Sequence, residues 1–262
     1  MEDVLERVRA GTLSVRRAAQ LLRLDAVQRL GTQLKLDLHR AERTGIPEVV
    51  LAEGKEPEDV RKAALAFLRD QGRAIISRVP AGFRMGRVPG ATIETHKEAR
   101  TIVLRRRGTS VPRTGGRVAL LTAGASDRRV AAEADVVARE LGVDVRTERD
   151  IGVASLKRLL DGLERLEPWE PHAWIVLAGR EGALASVVAG LVDGPVIGVP
   201  VSTGYGYRGR GEAALSSMLQ SCTPLVVVNI DAGFVAGAVA AQIANRVAAG
   251  AARVRRGHER PH

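Results

Sequence analysis

Runs of consecutive apolar residues recur at regular intervals through the second half of the chain. They lie at residues 118–121, 143–145, 174–177, 196–199 and 225–228. Segments with helical apolar spacing, each about a dozen residues long, separate them. Because continuous apolar strands are buried on both faces, the pattern predicts a parallel sheet with helices on either side. Five such units predict a doubly wound sheet, in which ligands bind beyond the carboxyl ends of the strands.

The first 110 residues follow a different pattern. Helical apolar spacing covers residues 18–24, 27–43 and 57–70. Short runs typical of strands lie at 48–51, 73–76, 91–93 and 101–104. A charged and then Gly- and Pro-rich stretch over 105–116 has no periodicity and indicates a linker. We therefore expect a smaller α+β domain over residues 1–110 and an α/β domain over 111–262.

Composition narrows the class of protein. The 262 residues are 45% hydrophobic and 27% charged, which is typical of a globular chain with room for two cores. The net charge is +10, but only five of the basic residues are Lys. Aromatic residues make up 3% of the chain, so few side chains could stack on bases, and no nucleic-acid partner is expected. No apolar run reaches the roughly 20 residues that span a bilayer, and the start is acidic. These features predict a cytoplasmic protein without a membrane partner.

Cys222 is the chain's single cysteine and precedes the last apolar run. A lone thiol has no partner for a disulfide within the chain. It is therefore either a small buried hydrophobe, the common state of a free cysteine, or a nucleophile. The residues alone leave both interpretations open.

The loop after the first apolar run contains Gly124, Ser126 and Asp127, and a helix is predicted from about Arg128. Small residues let the backbone approach an anion, and a helix N-terminus offers N–H groups with partial positive charge. The loop is thus a candidate phosphate site. The alternative is that Ser126 or Asp127 only caps the helix. Neither G-x-G-x-x-G nor a P-loop is present, so the standard nucleotide fingerprints are absent.

Two later loops carry further candidates. Glu181 follows the third run and is either a solvated charge or a general base. The fourth run leads into residues 200–211, which contain four glycines. Such a loop permits close backbone approach to a ligand and suits a lid, although a long surface turn has the same composition.

The order of these segments resembles the N5-carboxyaminoimidazole ribonucleotide mutase (PurE) family. The resemblance rests on Gly124-x-Ser126-Asp127, on residues 178–191 and 195–201, and on Leu219-Gln220. It implies a flavodoxin-like, PurE-like fold and a loop that holds a ribose phosphate. The purine enzymes carry Ala-Ala-His-Leu-Pro-Gly where this chain has residues 180–185. Because the histidine that moves protons is missing there, the purine reaction is in doubt.

A second group of motifs resembles the LarB family, which begins nickel-pincer nucleotide cofactor synthesis. The motifs are residues 36–55, Glu181-Gly182-Ala183-Leu184, Gly204-Tyr205-Gly206, Ser221-Cys222 and residues 228–237. The first of these has no counterpart in the purine enzymes. The resemblance implies that nicotinic acid adenine dinucleotide is carboxylated on its pyridinium ring by CO2 or bicarbonate. Hydrolysis of the phosphoanhydride then gives pyridinium-3,5-biscarboxylic acid mononucleotide and AMP.

The resemblance also implies roles for individual residues. Cys222 adds to the ring as a thiolate, and Glu181 removes the proton after carboxylation. Asp127 helps to place Mg²⁺ or another divalent cation, and no organic cofactor is expected. The substrate and its phosphates are bound by Gly124, Ser126, Asp127, Gly182, Gly204, Tyr205, Gly206, Arg40, Arg43 and Lys55.

One topological point bears on the oligomeric state. Cys222 precedes a strand, so it is expected at the opposite sheet edge from Ser126 and Glu181. PurE-like proteins form closed octamers, and a homo-octamer would let a neighbouring subunit supply the thiol. Three functions remain open: a pyridinium carboxylase and hydrolase, a purine-type carboxylase or mutase, and a noncatalytic nucleotide-binding protein.

Overall fold

The computed structural model describes residues 2–24, 27–30 and 34–258, and the chain forms two units. The first unit comprises Met1–Thr95 and Thr101–Thr109; the second comprises His96–Arg100 and Ser110–His262. Helices of the first unit are α1 (Glu2–Arg9), α2 (Val15–Leu24), α3 (Arg40–Thr44) and α4 (Pro57–Gln71). Its strands are β1 (Val27–Leu30), β2 (Leu34–Asp37), β3 (Val49–Leu51), β4 (Arg73–Ser77), β5 (Ala91–His96) and β6 (Thr101–Arg106).

The first unit is built on a mixed sheet in the order β3-β4-β6-β5. Strand β3 runs parallel to β4, and β4 runs antiparallel to β6. Helix α4 starts with Pro57 in its first turn and ends at Gly72, which has a φ of 71°. Its apolar face, including Phe67, packs with Ile76 and Leu104 of the sheet. The predicted smaller α+β domain is therefore present.

The helix predicted over 27–43 is wrong. Strands β1 and β2 form an antiparallel pair there, and only α3 is helical. Leu34 and Leu36 alternate with Lys35 and Asp37, which is the period of a strand with one apolar face. Leu30, Leu34 and Leu38 also recur every four residues, which fits a helical spacing and explains the error. Residues 31–33 of the predicted helix lie outside the described part of the chain.

The second unit alternates strands and helices. Its strands are β7 (Arg117–Thr122), β8 (Asp144–Glu148), β9 (Ala173–Ala178), β10 (Val196–Pro200) and β11 (Val226–Val227). Its helices are α5 (Arg128–Glu140), α6 (Leu156–Leu166), α7 (Ala183–Ala189), α8 (Glu212–Leu219) and α9 (Gly233–His258). Two single turns of 3-10 helix, Ala125–Asp127 and Glu167–Trp169, precede α5 and follow α6.

The five strands form one parallel sheet in the order β11-β10-β9-β7-β8, as predicted for a flavodoxin-like fold. The chain order reverses between β7 and β9, which makes their carboxyl ends the topological switch point. Every residue of β9 and β10 is buried, whereas the edge strands β8 and β11 are partly exposed. Strand β11 keeps only two of the four predicted residues.

One face of helix α9 packs on the sheet and on helix α5. By length and composition, Gly233–Val254 is the one stretch of the described helices that could cross a membrane. Its Ala236, Ala240 and Ala244 are buried in one core with residues of α5 and the central strands. A Cβ at Gly237 would lie 2.4 Å from the Ala134 carbonyl oxygen, so glycine permits the close approach of α9 to α5. Packing within this unit accounts for the buried face of the helix; 33% of the apolar stretch is buried, and Val235 and Val247 are exposed.

Candidate active-site pocket

A pocket of about 500 Å³ lies at the carboxyl edge of the parallel sheet. The loops after β7, β8, β9 and β10 supply its walls, so it occupies the switch point of the fold. Its volume falls within the roughly 300–1,000 Å³ of small-molecule sites. It is lined by Ala123, Gly124, Ser126, Asp127, Gly152, Val153, Ala154, Ala178, Gly179, Arg180, Glu181, Leu184, Thr203, Gly204 and Tyr205.

The loop after β7 turns directly into helix α5. Asp127 is the N-cap residue of α5, but its side chain bonds no amide of that helix. It reaches back instead and accepts the N–H of Gly124 at 2.9 Å. The Ser126 hydroxyl donates to the same carboxylate at 3.3 Å. The Asp127 carboxylate therefore shapes the loop, while Ser126 stays exposed at the pocket.

Asp127 is only 2% exposed. Burial raises the pKa of its carboxyl group above the ordinary 3.8, while hydrogen bonds from Gly124, Ser126 and Thr203 act in the opposite direction. The Thr203 hydroxyl, at 3.5 Å, belongs to the loop after β10. Asp127 thus joins two loops of the pocket.

The loop after β9 carries Glu181 on the pocket wall with its side chain exposed. Gly182 precedes α7 with a φ of 69°, and a Cβ there would lie 2.9 Å from backbone atoms of Ala214. Gly182 therefore packs on helix α8 and is not a lining residue. Its contribution is the tight turn that presents Glu181.

The loops after β9 and β10 touch at the rim. A Cβ at Gly204 would lie 2.6 Å from the backbone nitrogen of Arg180, so this contact requires glycine. The Arg180 guanidinium lies 4.7 Å from the centroid of the Tyr205 ring, within cation–π range. Tyr205 is 76% exposed, and Gly206 lies outside the lining. The rim therefore offers an aromatic face and a positive charge.

Cys222 lies elsewhere. It follows α8 and precedes β11, which places it at the amino edge of the sheet, and it is not among the lining residues. Next to it, the Thr223 hydroxyl donates to the carbonyl oxygen of Ser186 at 3.1 Å. The thiol is exposed, so the interpretation of Cys222 as buried packing is wrong.

The three cationic residues predicted from the LarB resemblance lie in the first unit. Arg43 pairs with both carboxylate oxygens of Asp37, and Lys55 Nζ donates to the carbonyl oxygen of Leu51 at 2.7 Å. Arg40 is exposed at the start of α3. Their part in nucleotide binding stays a prediction.

The pocket does not form a metal cage. Within residues 2–24, 27–30 and 34–258, no group of three or more His, Cys, Asp or Glu side chains could hold an ion. The Asp127 carboxylate, which was predicted to place a cation, accepts bonds from Gly124 and Ser126 and lies 3.5 Å from the Thr203 hydroxyl. These contacts shape the loop after β7, and the part of Asp127 in placing a cation stays a prediction.

Both units match known families. The LarB/PurE-like N-terminal domain matches residues 27–106, and the AIR carboxylase family matches residues 117–258. This chain is a LarB-type member of the PurE-like AIR carboxylase family. An uncharacterized protein of Methanocaldococcus jannaschii is 38% identical to it over 251 residues, which cover 93% of this chain and 96% of the relative. Membership of this family indicates a carboxylase-type function for the chain.

Sequence reasoning missed part of this LarB-type pocket. The missed lining residues from the loop after β8 are Gly152, Val153 and Ala154, and Thr203 was missed in the glycine-rich loop. Gly152 was detectable in principle, because it comes shortly after a predicted strand. A Cβ there would lie 2.8 Å from the Ala123 carbonyl oxygen, a contact that no local pattern reveals.

Proposed function

We propose that this chain carboxylates the pyridinium ring of nicotinic acid adenine dinucleotide with CO2 or bicarbonate and hydrolyses the phosphoanhydride. The products are pyridinium-3,5-biscarboxylic acid mononucleotide and AMP, which is the first step of nickel-pincer nucleotide cofactor synthesis. One observation carries the proposal: a LarB-type amino-terminal domain accompanies a PurE-like pocket lined by Glu181 and, among the described residues, by no histidine.

The proposed carboxylation needs a nucleophile, because an electron-poor pyridinium carbon does not attack CO2. The Cys222 thiolate forms an S–C bond to the ring, and the displaced ring electrons give an enamine. The neighbouring carbon then forms a C–C bond to CO2. Glu181 takes the proton from that carbon, and the thiolate leaves with the electron pair of the S–C bond as aromaticity returns. The thiolate is regenerated directly, and Glu181 returns to the carboxylate by releasing its proton to solvent; no electrons are gained or lost overall.

The phosphate-binding part of the proposal rests on the loop after β7. Ser126 is exposed at the pocket beside the start of the 13-residue helix α5, whose first N–H groups favour an anion. Asp127 shapes this loop through Gly124. Mg²⁺ is bound in many proteins through substrate phosphates and retained water, so we propose that the divalent cation arrives with the diphosphate. Water then attacks phosphorus, and AMP leaves.

The proposal requires Cys222 to reach a pocket whose described lining excludes it. We propose that a homo-oligomer, an octamer by the PurE resemblance, brings the Cys222 thiol of one subunit to the pocket of another. Apolar side chains close to Cys222 in the sequence are exposed, since Leu219 is 66% and Val226 is 48% exposed. This supports the proposal that another subunit covers the surface around the thiol. An active monomer would contradict this part of the proposal.

Mass spectrometry of the reaction products tests the function. The parent chain is incubated with nicotinic acid adenine dinucleotide, ¹³C-bicarbonate and Mg²⁺. We expect AMP and a labelled, doubly carboxylated pyridinium mononucleotide from the parent, and no labelled product from Cys222→Ala. No product from a folded parent that binds the dinucleotide would support a noncatalytic function.

A purine-type carboxyl transfer is the second candidate, because the AIR carboxylase family matches residues 117–258. That chemistry has no use for a thiol. Turnover of an aminoimidazole ribonucleotide by the parent, undiminished in Cys222→Ala, would establish it and exclude the pyridinium reaction.

A further inference from the structure

The turn between β11 and α9 anchors both ends of the glycine-rich loop, residues 201–211. At the first end, Asp231 donates its backbone N–H to the Pro200 carbonyl oxygen at 2.9 Å. Its carboxylate accepts the N–H of Ser202 at 2.9 Å and the Ser202 hydroxyl at 2.6 Å. At the second end, a Cβ at Gly211 would lie 2.7 Å from Ile230 Cγ2. Two adjacent residues therefore define where the loop begins and ends.

The same carboxylate also reaches helix α5. Arg129 Nη2 donates to Asp231 Oδ2 at 3.0 Å. Arg129 is the second residue of α5 and follows Asp127 by two positions. Asp231 thus connects the loop after β10 to helix α5. This helix begins at residues 123–127, the proposed phosphate-binding loop after β7, which is called the phosphate loop below.

The direct contact between these two loops at the pocket is weaker. Thr203 Oγ1 lies 3.5 Å from Asp127 Oδ1, beyond the usual hydrogen-bond distance for a hydroxyl donor. The Asp231 carboxylate instead accepts three bonds of 2.6–3.0 Å, and the one from the Arg129 guanidinium joins two charged groups, which is the stronger kind of hydrogen bond. The contacts of Asp231, more than that of Thr203, therefore fix the loop after β10 relative to the phosphate loop.

We propose that Asp231 is a positioning residue that presets the Thr203–Tyr205 wall against the phosphate loop. Asp231 does not line the pocket, so it acts through Ser202 and Arg129. A wall that is already ordered removes part of the conformational cost of binding. The inference rests on the proposed function for the identity of the substrate, whereas the ordering of the wall is independent of it.

The test uses Asp231→Asn. Asp231 has a φ of 54°, and asparagine adopts this left-handed conformation readily. Asparagine can still accept the Ser202 N–H, but it loses the charge that holds Arg129. Asp150→Asn is the matched control, because Asp150 has a φ of 55° and pairs with Arg158 at 2.6 Å, yet does not line the pocket.

Two readouts separate this inference from the proposed function. The Gly209 and Arg210 amides donate to the Gly206 and Gly204 carbonyl oxygens, and their hydrogen–deuterium exchange without substrate is expected to quicken about tenfold in Asp231→Asn and not in Asp150→Asn. The Kd for nicotinic acid adenine dinucleotide is expected to rise about tenfold with a smaller change in kcat, as for the loss of one charged hydrogen bond. Unchanged exchange in a folded Asp231→Asn would overturn the inference.

A second variant keeps the test decisive if Asp231→Asn fails to fold. Ser202→Ala leaves the ion pair with Arg129 and removes one bond, so a smaller increase in exchange of the Gly209 and Arg210 amides is expected. Unchanged exchange in Ser202→Ala would then overturn the inference. Faster exchange, together with a parent that does not bind the dinucleotide, would support the positioning role and overturn the proposed substrate.

Discussion

The two edges of the parallel sheet carry different chemistry. At the carboxyl edge, Ser126, Asp127 and Glu181 line a pocket between the strand-following loops. At the amino edge, Cys222 is exposed in a segment that precedes a strand. In a parallel sheet these two kinds of segment lie at opposite ends of the strands. The proposed reaction uses both the thiol and Glu181, and for this reason we propose that two copies of this chain come together to form its site.

The largest expected effect comes from the amino edge. Cys222→Ala removes the proposed nucleophile, so we expect kcat to fall by on the order of 10³-fold or more, as for other covalent catalysts. The Kd for the dinucleotide should stay close to that of the parent, because the phosphate loop is untouched. Steady-state kinetics and calorimetry measure the two quantities. Parental turnover in Cys222→Ala would show that Cys222 is not the nucleophile.

The base at the carboxyl edge is expected to have the next largest effect. Glu181→Gln should lower kcat by about 10²–10⁴-fold, the usual contribution of a general base. Because proton removal is blocked while addition is not, a carboxylated adduct on Cys222 should accumulate and be visible in the intact-protein mass. Glu212→Gln is the control, since Glu212 is exposed on α8 and outside the pocket. Equal kinetics of the two variants would contradict the role of Glu181.

The phosphate loop should affect binding more than chemistry. Ser126→Ala is expected to raise the Kd for the dinucleotide about tenfold, the effect of losing one hydrogen bond to a charged group. The value of kcat should change little. Calorimetric titration measures the affinity, with Ser217→Ala on the exposed face of α8 as the control. An unchanged Kd would favour the interpretation of this loop as a simple helix start.

The smallest expected effect is on stability. Burial raises the pKa of Asp127 above 3.8, so between 3.8 and the raised value the folded chain binds more protons than the unfolded chain. The Asp127 contribution to stability therefore falls as pH rises through this window, and the cost is fully present above the raised pKa. We expect Asp127→Asn to unfold at a higher temperature than the parent at pH 7, and the gain to shrink toward pH 4. A less stable Asp127→Asn at pH 7 would show that the bonds to Gly124 and Ser126 need the charge.

The sheet was predictable because buried parallel strands are continuous apolar runs, as in β9 and β10. The lengths of its edge strands were less predictable, because β11 pairs on one side only and shortens to Val226–Val227. In the first unit, Leu34 and Leu36 follow the two-residue period of a strand, while Leu34 and Leu38 also fit the spacing of a helix. The contacts of Thr203 with Asp127 and of Ser202 with Asp231 join residues 76 and 29 positions apart, beyond the reach of any local pattern.

Mixed oligomers test the central claim most directly, namely that Cys222 and Glu181 of different subunits form one site. Cys222→Ala and Glu181→Gln chains with different tags are co-expressed, and assemblies that carry both tags are purified. Each variant alone is inactive in this account. Random pairing leaves about a quarter of the sites with both intact residues, so we predict about a quarter of the parental activity. Mixed assemblies as inactive as either variant would contradict the claim and place the thiol and the base within one chain.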